Sequence, residues 1–545
     1  MLQAQSDYTK TRDAFEWVIP LHYNMGVDAC DKWADGSGRL ALIYQTAQGA
    51  VERYSFDQLK DWSDRFAQAL RAQGVERGDR VGIFLPQAPE TAIAHLALYK
   101  LGAIAVPLFT LFGTEALQFR LKDSGARALI THNEGMAKLA EIRMDLPALN
   151  SVFNIEATTH GADQHSFWEA IKVQDGSFTP VDTGAEDPAI IIYTSGTTGK
   201  PKGALHAQRI LLGHLPGVEM SHNFFPQNAE LMWTPADWAW IGGLLDVLLP
   251  AWHHGVPVLA CRFPKFEPAA AWRLMSRHGV THTFLPPTAL KMLRTITNPA
   301  EYGPLKLVSV ASGGESLGLE LIEWGRKALG LTINEFYGQT ECNMIVSSCA
   351  VLFEPLIGSI GKPVPGHDLR IIDDAGNILP DGTEGHIAVR RPDPVMFLGY
   401  WNNPKASEEK FVGDFLVTGD QGVYDAQGFI RFVGRGDDVI TSAGYRVGPG
   451  PIEDGLLGHP AVRLAAVIGV PDAQRTEIIK AVIVLNDGFE GSPALIAQIQ
   501  DHVRHKVAAH EYPRLIEFVE SLPMTTTGKV MRKVLREQHI SGLST

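Results

Sequence analysis

At 545 residues, with 45% hydrophobic and 20% charged content, the chain is too long for a single core and has the make-up of two or more folded domains. Its formal charge of -13 excludes a general attraction to nucleic acid or to an anionic membrane, leaving small polyanions held in local basic pockets. Cys30, Cys261, Cys342 and Cys349 are too sparse for a disulfide framework and lack zinc spacing. The first residues have neither an apolar signal core nor the Arg-rich character of a transit peptide. A soluble cytoplasmic protein, monomer or homo-oligomer, is expected, with no stable membrane insertion.

From residue 54 to 107 the pattern alternates between amphipathic helix (56–70), apolar strand (80–85), helix (91–101) and strand (103–106). Such alternation predicts crossover units on a largely parallel sheet. Further strand-like runs occur at 128–130, 189–193, 257–260, 283–285 and 307–310. The apolar stretches 92–109 and 238–252 are interrupted by Lys100 and Asp246 and by Gly and Pro, so they read as buried α/β segments rather than membrane spans. The fold class is therefore α/β, with a large multi-layer domain over residues 1–436. After Gly434-Arg-Gly-Asp-Asp438 the pattern shifts to short strands and helices at 465–470, 480–485 and 492–506. This marks a small α+β domain, 437–545.

Directly after the strand at 189–193 comes Thr194-Ser195-Gly196-Thr197-Thr198-Gly199, with Lys200 and Lys202 following. Small residues leave backbone N–H groups and hydroxyls free to wrap an anion, and the lysines add cationic donors. The glycine spacing is wrong for the Gly-x-x-x-x-Gly-Lys-Ser/Thr phosphate loop, and Pro201 stands where that loop needs a hydroxyl. A kinase or motor-type nucleotidase is disfavoured.

The run Tyr193-Thr-Ser-Gly-Thr-Thr-Gly-Lys-Pro-Lys-Gly203 resembles the signature of the adenylate-forming superfamily of acyl-CoA synthetases, luciferases and peptide-synthetase adenylation domains. The resemblance extends from about residue 50 to the end, with motifs in the family's order. Gly313-Gly314-Glu315-Ser316 is similar to its adenine-side segment, and Glu335-Phe336-Tyr337-Gly338-Gln339-Thr340-Glu341 to its central nucleotide motif. The resemblance implies that Tyr337 stacks on adenine, Thr340 contacts the α-phosphate and Glu341 holds Mg2+. An aromatic face, a hydroxyl and a hard carboxylate oxygen suit those tasks. It further implies that Asp420 and Arg435 bind the ribose and phosphates. Lys529, in Thr525-Thr-Thr-Gly-Lys529, becomes the adenylation lysine, and Asp437 a hinge about which the small domain turns between half-reactions.

On the same resemblance, ATP, Mg2+ and coenzyme A are the expected cofactor and co-substrates. Ala443, Gly444, Tyr445 and Arg446 then form a CoA face, with Arg475, Arg504 and Tyr512 near it. Lys202, Thr340, Glu341 and Lys529 are the catalytic set. Trp238, Trp240, Gly242 and Gly338 are assigned to the acyl slot. Acetyl-CoA synthetases carry a tryptophan where this chain has Gly338, so a slot open beyond a methyl group is expected. The motifs most resemble medium-chain acyl-CoA synthetases, with short, branched or aromatic acids also in range. Cys342-Asn343-Met344 departs from the family's more usual Thr-Gly and leaves Asn343 as a polar contact for the acid. The alternatives are an adenylating enzyme that loads a separate carrier protein and a nucleotide-binding regulatory protein without turnover. The CoA-side motif favours CoA as the acceptor, and no carrier domain is expected after Thr545.

Overall fold

A computed structural model describes the chain apart from residues 1, 162–163, 195–200, 264, 357, 437, 443–444, 473–474, 507–511, 526–528 and 543–545, and apart from the side chains of residues 441, 445, 446 and 542. A large N-terminal domain carries three sheets and a small C-terminal domain carries one.

The first large sheet has eight strands. Its centre, Pro188–Thr194, Ile104–Pro107, Arg80–Phe84 and Ala128–Thr131, runs parallel. These strands are buried along nearly their whole length, which explains their unbroken Val, Ile, Leu and Ala content. The second large sheet has nine strands, and its parallel middle includes Val258–Cys261, Met232–Trp233, His282–Phe284, Ser309–Gly313 and Asn334–Gln339.

Helices fill the space between the two sheets. Phe56–Ala72 starts with a reciprocal capping box in which Ser55 and Gln58 satisfy each other's backbone N–H. It turns Phe56, Leu59, Phe66 and Leu70 inward. Pro89–Leu101 and Ile210–Ser221 are buried on almost every side, as expected of helices between two layers. Each large apolar side chain removed from water there contributes about 1.5–3 kcal/mol. Lys100 interrupts this core yet is fully buried, because its ammonium pairs with Asp31 at 2.6 Å and Asp64 at 2.8 Å.

Antiparallel pairing departs from the parallel expectation at the edges of both large sheets, as in Leu40–Gln45 with Val51–Ser55 and Pro188–Thr194 with Lys202–Ala207. After Asn334–Gln339 the chain reverses into the antiparallel strand Cys342–Ser347. Residues 369–435 then form a separate antiparallel sheet, in which Phe415–Tyr424 pairs with Gly385–Arg390 and Ile430–Arg435. The small domain is built on the antiparallel pair Val462–Asp472 and Thr476–Leu485, flanked by the helix Pro493–Lys506. No helix among the described residues is long and apolar enough to cross a membrane.

Candidate active site

Strand pairing places the first candidates. Thr194 and Lys202 face each other across the antiparallel pair Pro188–Thr194 and Lys202–Ala207. Between them, Ser195, Gly196, Thr197, Thr198 and Gly199 lie outside the described residues. Lys202 is exposed, with its ammonium 5.0 Å from the centroid of the Tyr400 ring. Tyr400 arrives on the strand Gly399–Tyr400, which pairs with Lys202–Ala207. Its hydroxyl donates to Glu341 Oε1.

Glu341 and Thr340 sit at the turn joining Asn334–Gln339 to Cys342–Ser347. The Glu341 carboxylate is buried, and its second oxygen has no partner among the described residues. One such oxygen suits Mg2+, which takes few protein ligands and completes its shell with phosphate and water oxygens. The described residues accordingly contain no cluster of three or more metal-ligating side chains.

On the neighbouring sheet Asp420 stands opposite Arg435. The Tyr337 hydroxyl donates to Asp420 Oδ2 at 2.5 Å, and the Gln339 amide donates to the same oxygen at 2.8 Å. Burial pushes the Asp420 pKa up, while the Tyr337 hydroxyl and the Arg435 guanidinium oppose that rise. Oδ1 has no partner among the described residues and is left to accept further hydrogen bonds. The Tyr337 ring lies 6.1 Å from that of Phe432, a neighbour the sequence reading did not single out.

Gly314 has φ +94°, a conformation that favours glycine. A Cβ at this position would stand 3.4 Å from the Trp240 indole and 3.7 Å from Lys529 Cε. Lys529 thus enters the large domain's site from the small domain. Its backbone is held by Thr525, whose Oγ1 accepts from the Lys529 N–H at 3.0 Å and whose own N–H donates to the Lys529 carbonyl at 2.7 Å. The side chain keeps solvent access. The protein atoms packed around it displace part of its water and lower its pKa below the usual lysine value, and the carboxylates of Glu315, Asp420 and Glu341 counter that effect.

The interface between domains is polar. Lys506 pairs with Glu320, Leu319 N–H donates to Asp454 at 3.2 Å, and Arg294 donates to the Leu457 carbonyl at 3.3 Å. Ser316 Oγ would lie 3.3 Å from a Cβ at Gly450, so it faces the small domain.

Other candidates lie beneath the site. Glu335 accepts from Leu317 N–H at 3.0 Å, and burial raises its pKa to about 8. Its side chain braces the segment that holds Glu315 and Ser316. The Phe336 ring packs 5.2 Å from Phe284 and against Gly313, within the core. Trp238 is buried in the core, whereas Trp240 is half-buried beside Gly314 and 5.6 Å from Phe284. Gly242 packs against both Trp240 and Phe284. A Cβ at Gly338 would lie 2.3 Å from Met344 N and 2.6 Å from Asn343 Cα. Glycine there permits close approach of two backbones.

Among the CoA candidates, Ala443 and Gly444 lie outside the described residues, as does the hinge Asp437. The backbones of Tyr445 and Arg446 pair with Ser442 and Thr441. Ser442 also pairs with Thr476, which brings Arg475 beside this strand pair. Arg504 stacks over the Tyr512 ring at 4.3 Å and pairs with Asp501 at 3.2 Å.

The AMP-binding enzyme profile matches residues 31–401, and the AMP-binding enzyme C-terminal domain profile matches residues 451–529. The chain is 34% identical over 538 residues to the mitochondrial acyl-coenzyme A synthetase ACSM4 of Homo sapiens, covering 96% of this chain and 92% of that protein. It is 35% identical over 548 residues to the acetyl-coenzyme A synthetase of Bacillus subtilis, covering 97% and 94% respectively. Its fold matches the anthranilate CoA ligase AuaEII in complex with anthranoyl-AMP with a TM-score of 0.86 at 31% identity, covering 95% of this chain and 98% of that one. The chain therefore belongs to the AMP-binding enzyme family, in its acyl-CoA synthetase branch.

Proposed function

We propose that this protein converts a carboxylic acid larger than acetate into its CoA thioester by way of an acyl-adenylate. The observation that carries the reading is the entry of Lys529, from the small domain, beside Gly314 and Trp240 and opposite Glu315, Asp420 and Glu341. A free carboxylate is a poor electrophile, so it must first gain a better leaving group. Its oxygen attacks the α-phosphorus of ATP, the bond from that phosphorus to the bridging oxygen breaks, and pyrophosphate leaves.

Catalysis of that step is mostly positioning and neutralisation of charge. Asp420 Oδ1 accepts from ribose hydroxyls, and Tyr337 offers its ring to adenine. Thr340 donates to the α-phosphate, and the ammonium groups of Lys202 and Lys529 balance charge on the phosphate oxygens. Glu341 would hold Mg2+, which when bound neutralises charge on the departing pyrophosphate.

In the second half-reaction the CoA sulfur attacks the acyl carbonyl carbon, the thiol proton is lost, and AMP leaves. Lys529 occupies the ground next to the reacting centre, so this attack needs a different arrangement. We assign it to rotation of residues 437–545 about Asp437. The paired strands Ile440–Ser442 and Tyr445–Val447, with Arg475 beside them, supply the CoA face.

The resemblance of the motifs to medium-chain acyl-CoA synthetases supports an acid of short to medium chain, branched or aromatic; the place of a side chain at Gly338 is taken by the backbone of Asn343 and Met344, so glycine there does not itself open the slot. Four buried, unpaired cysteines support a reducing cytoplasmic setting. The test is a screen of acids from two to twelve carbons for AMP release dependent on both ATP and CoA. Strict preference for acetate would overturn this reading of the substrate. Adenylation without thioester formation would favour the loading of a carrier protein.

A further inference from the structure

Two ionisable residues interrupt the apolar core, and they are treated differently. Lys100 has two carboxylates within 2.8 Å. Asp246, only 3% exposed, has no cation near it among the described residues. Its Oδ1 accepts from Asn343 Nδ2 at 2.8 Å, and His214 Nε2 lies 3.8 Å away.

The surrounding hydrogen bonds fix which atoms are left over. His214 Nδ1 donates to the Ile210 carbonyl at 2.8 Å, and burial lowers its pKa to about 4, so the ring is neutral with Nε2 as acceptor. Asn343 Nδ2, 3.2 Å away, donates to that Nε2 as well as to Asp246. The amide orientation is thereby set, and Asn343 Oδ1 faces away from both. Neither Asn343 Oδ1 nor Asp246 Oδ2 has a hydrogen-bond partner among the described residues. Neither oxygen is among the fully enclosed unpaired atoms, so on these two touching, nearly buried side chains both face a small open space in which a ligand's donor would satisfy them.

Both residues connect to the candidate acyl slot through their chain neighbours. Asn343 is on the segment against which Gly338 packs, two residues beyond Glu341. Asp246 follows Trp240, the ring beside Gly314 and Lys529, roughly 9 Å further along the same helical segment. It falls within the π-helical turn Leu244–Leu248, a distortion often kept where a helix serves a site. The backbone around Asn343 is also unusual. Met344 has φ +53° and packs so tightly on the helix Ile210–Ser221 that a Cβ at Gly217 would lie 2.5 Å from Met344 Cβ.

We propose that Asp246 and Asn343, oriented by His214, form a polar end to the acyl slot that binds a hydroxyl or amino substituent on the acid. This rests on the ligase reading above and narrows its substrate class. Plain alkanoic acids would leave both oxygens unpaired, and a site built to hydrogen-bond a substituent rejects the analogue lacking it.

The experiment measures kcat/KM for adenylation of matched acids: benzoate with its 2-amino, 3-hydroxy and 4-hydroxy derivatives, and hexanoate with 5- and 6-hydroxyhexanoate. The wild-type enzyme should favour the substituted acid of at least one pair by about 100-fold or more. Asp246→Ala, which removes the carboxylate without adding bulk, and Asn343→Ala should each collapse that ratio by at least tenfold. Preference for the plain acid in every pair would overturn the proposal, as would an equal loss on all acids in both variants. Absence of adenylation with every acid would instead refute the ligase reading itself.

Discussion

Gly338→Ala tests how tightly the nucleotide motif depends on backbone contact. The added methyl would stand 2.3 Å from Met344 N and 2.6 Å from Asn343 Cα, both main-chain atoms that cannot swing aside. Recovering an ordinary contact of 3.4 Å requires the strands Asn334–Gln339 and Cys342–Ser347 to part by about 1 Å. The turn between those strands carries Thr340 and Glu341. A displacement of about 1 Å in a positioned reacting group costs about 100-fold in rate, and overpacking costs about 1–3 kcal/mol of stability. The assay is acid-dependent exchange of pyrophosphate into ATP, run beside thermal unfolding. The variant should fold with a lowered melting temperature and show kcat/KM for adenylation down by about 100-fold for every acid. If adenylation of small acids stays within about threefold of wild type and only long acids are lost, Gly338 serves as open space in the acyl slot and the backbone argument is wrong.

Three further outcomes follow from the same geometry. Tyr337→Phe keeps the ring but removes the hydroxyl that donates to buried Asp420; the KM for ATP should rise about tenfold, and an unchanged KM would contradict the assigned role. Glu335 ionises near its usual pKa of 4.5 when unfolded but near about 8 when folded, so the folded state keeps the proton across that interval. Its stabilising proton uptake is complete below pH 4.5 and is lost as pH rises to about 8. In Glu335→Gln this decline, of the order of a few kcal/mol, should vanish from unfolding curves taken at pH 5 to 8.5. Glu320→Ala removes the interdomain pair with Lys506; at about 0.2–1 kcal/mol for such an exposed pair, adenylation should fall no more than about fivefold. A loss of 100-fold or more would mean that this contact governs domain closure.

Much of the architecture was legible because parallel strands buried on both faces must be apolar throughout. The runs at 128–130 and 189–193 correspond to the observed strands Ala128–Thr131 and Pro188–Thr194. The helix expected at 56–70 is observed as Phe56–Ala72. The sheet over residues 369–435 was not anticipated, since its strands owe their order to antiparallel pairing between segments separated by long loops.

Site residues divide in the same way. Motif position located Tyr337, Glu341, Asp420 and Lys529, which the fold brings together from separate elements. It did not reveal that Phe336 and Trp238 turn into the core, because face and burial depend on what packs from elsewhere in the chain. The contact of the Tyr400 hydroxyl with Glu341 has no local signal, because it joins residues far apart in the chain. Lys100 and Asp246 read alike as charged breaks in apolar runs. Only the distant partners, Asp31 and Asp64 for one and Asn343 for the other, set them apart.

The central claim is that one chain uses Lys529 for adenylation and then moves it away for thioester formation. Lys529→Ala, measured in both half-reactions with the same acid, tests it most directly. Pyrophosphate exchange should fall by at least about 100-fold, while conversion of supplied acyl-adenylate and CoA into thioester should stay within about threefold of wild type. Equal loss of both half-reactions would contradict the account.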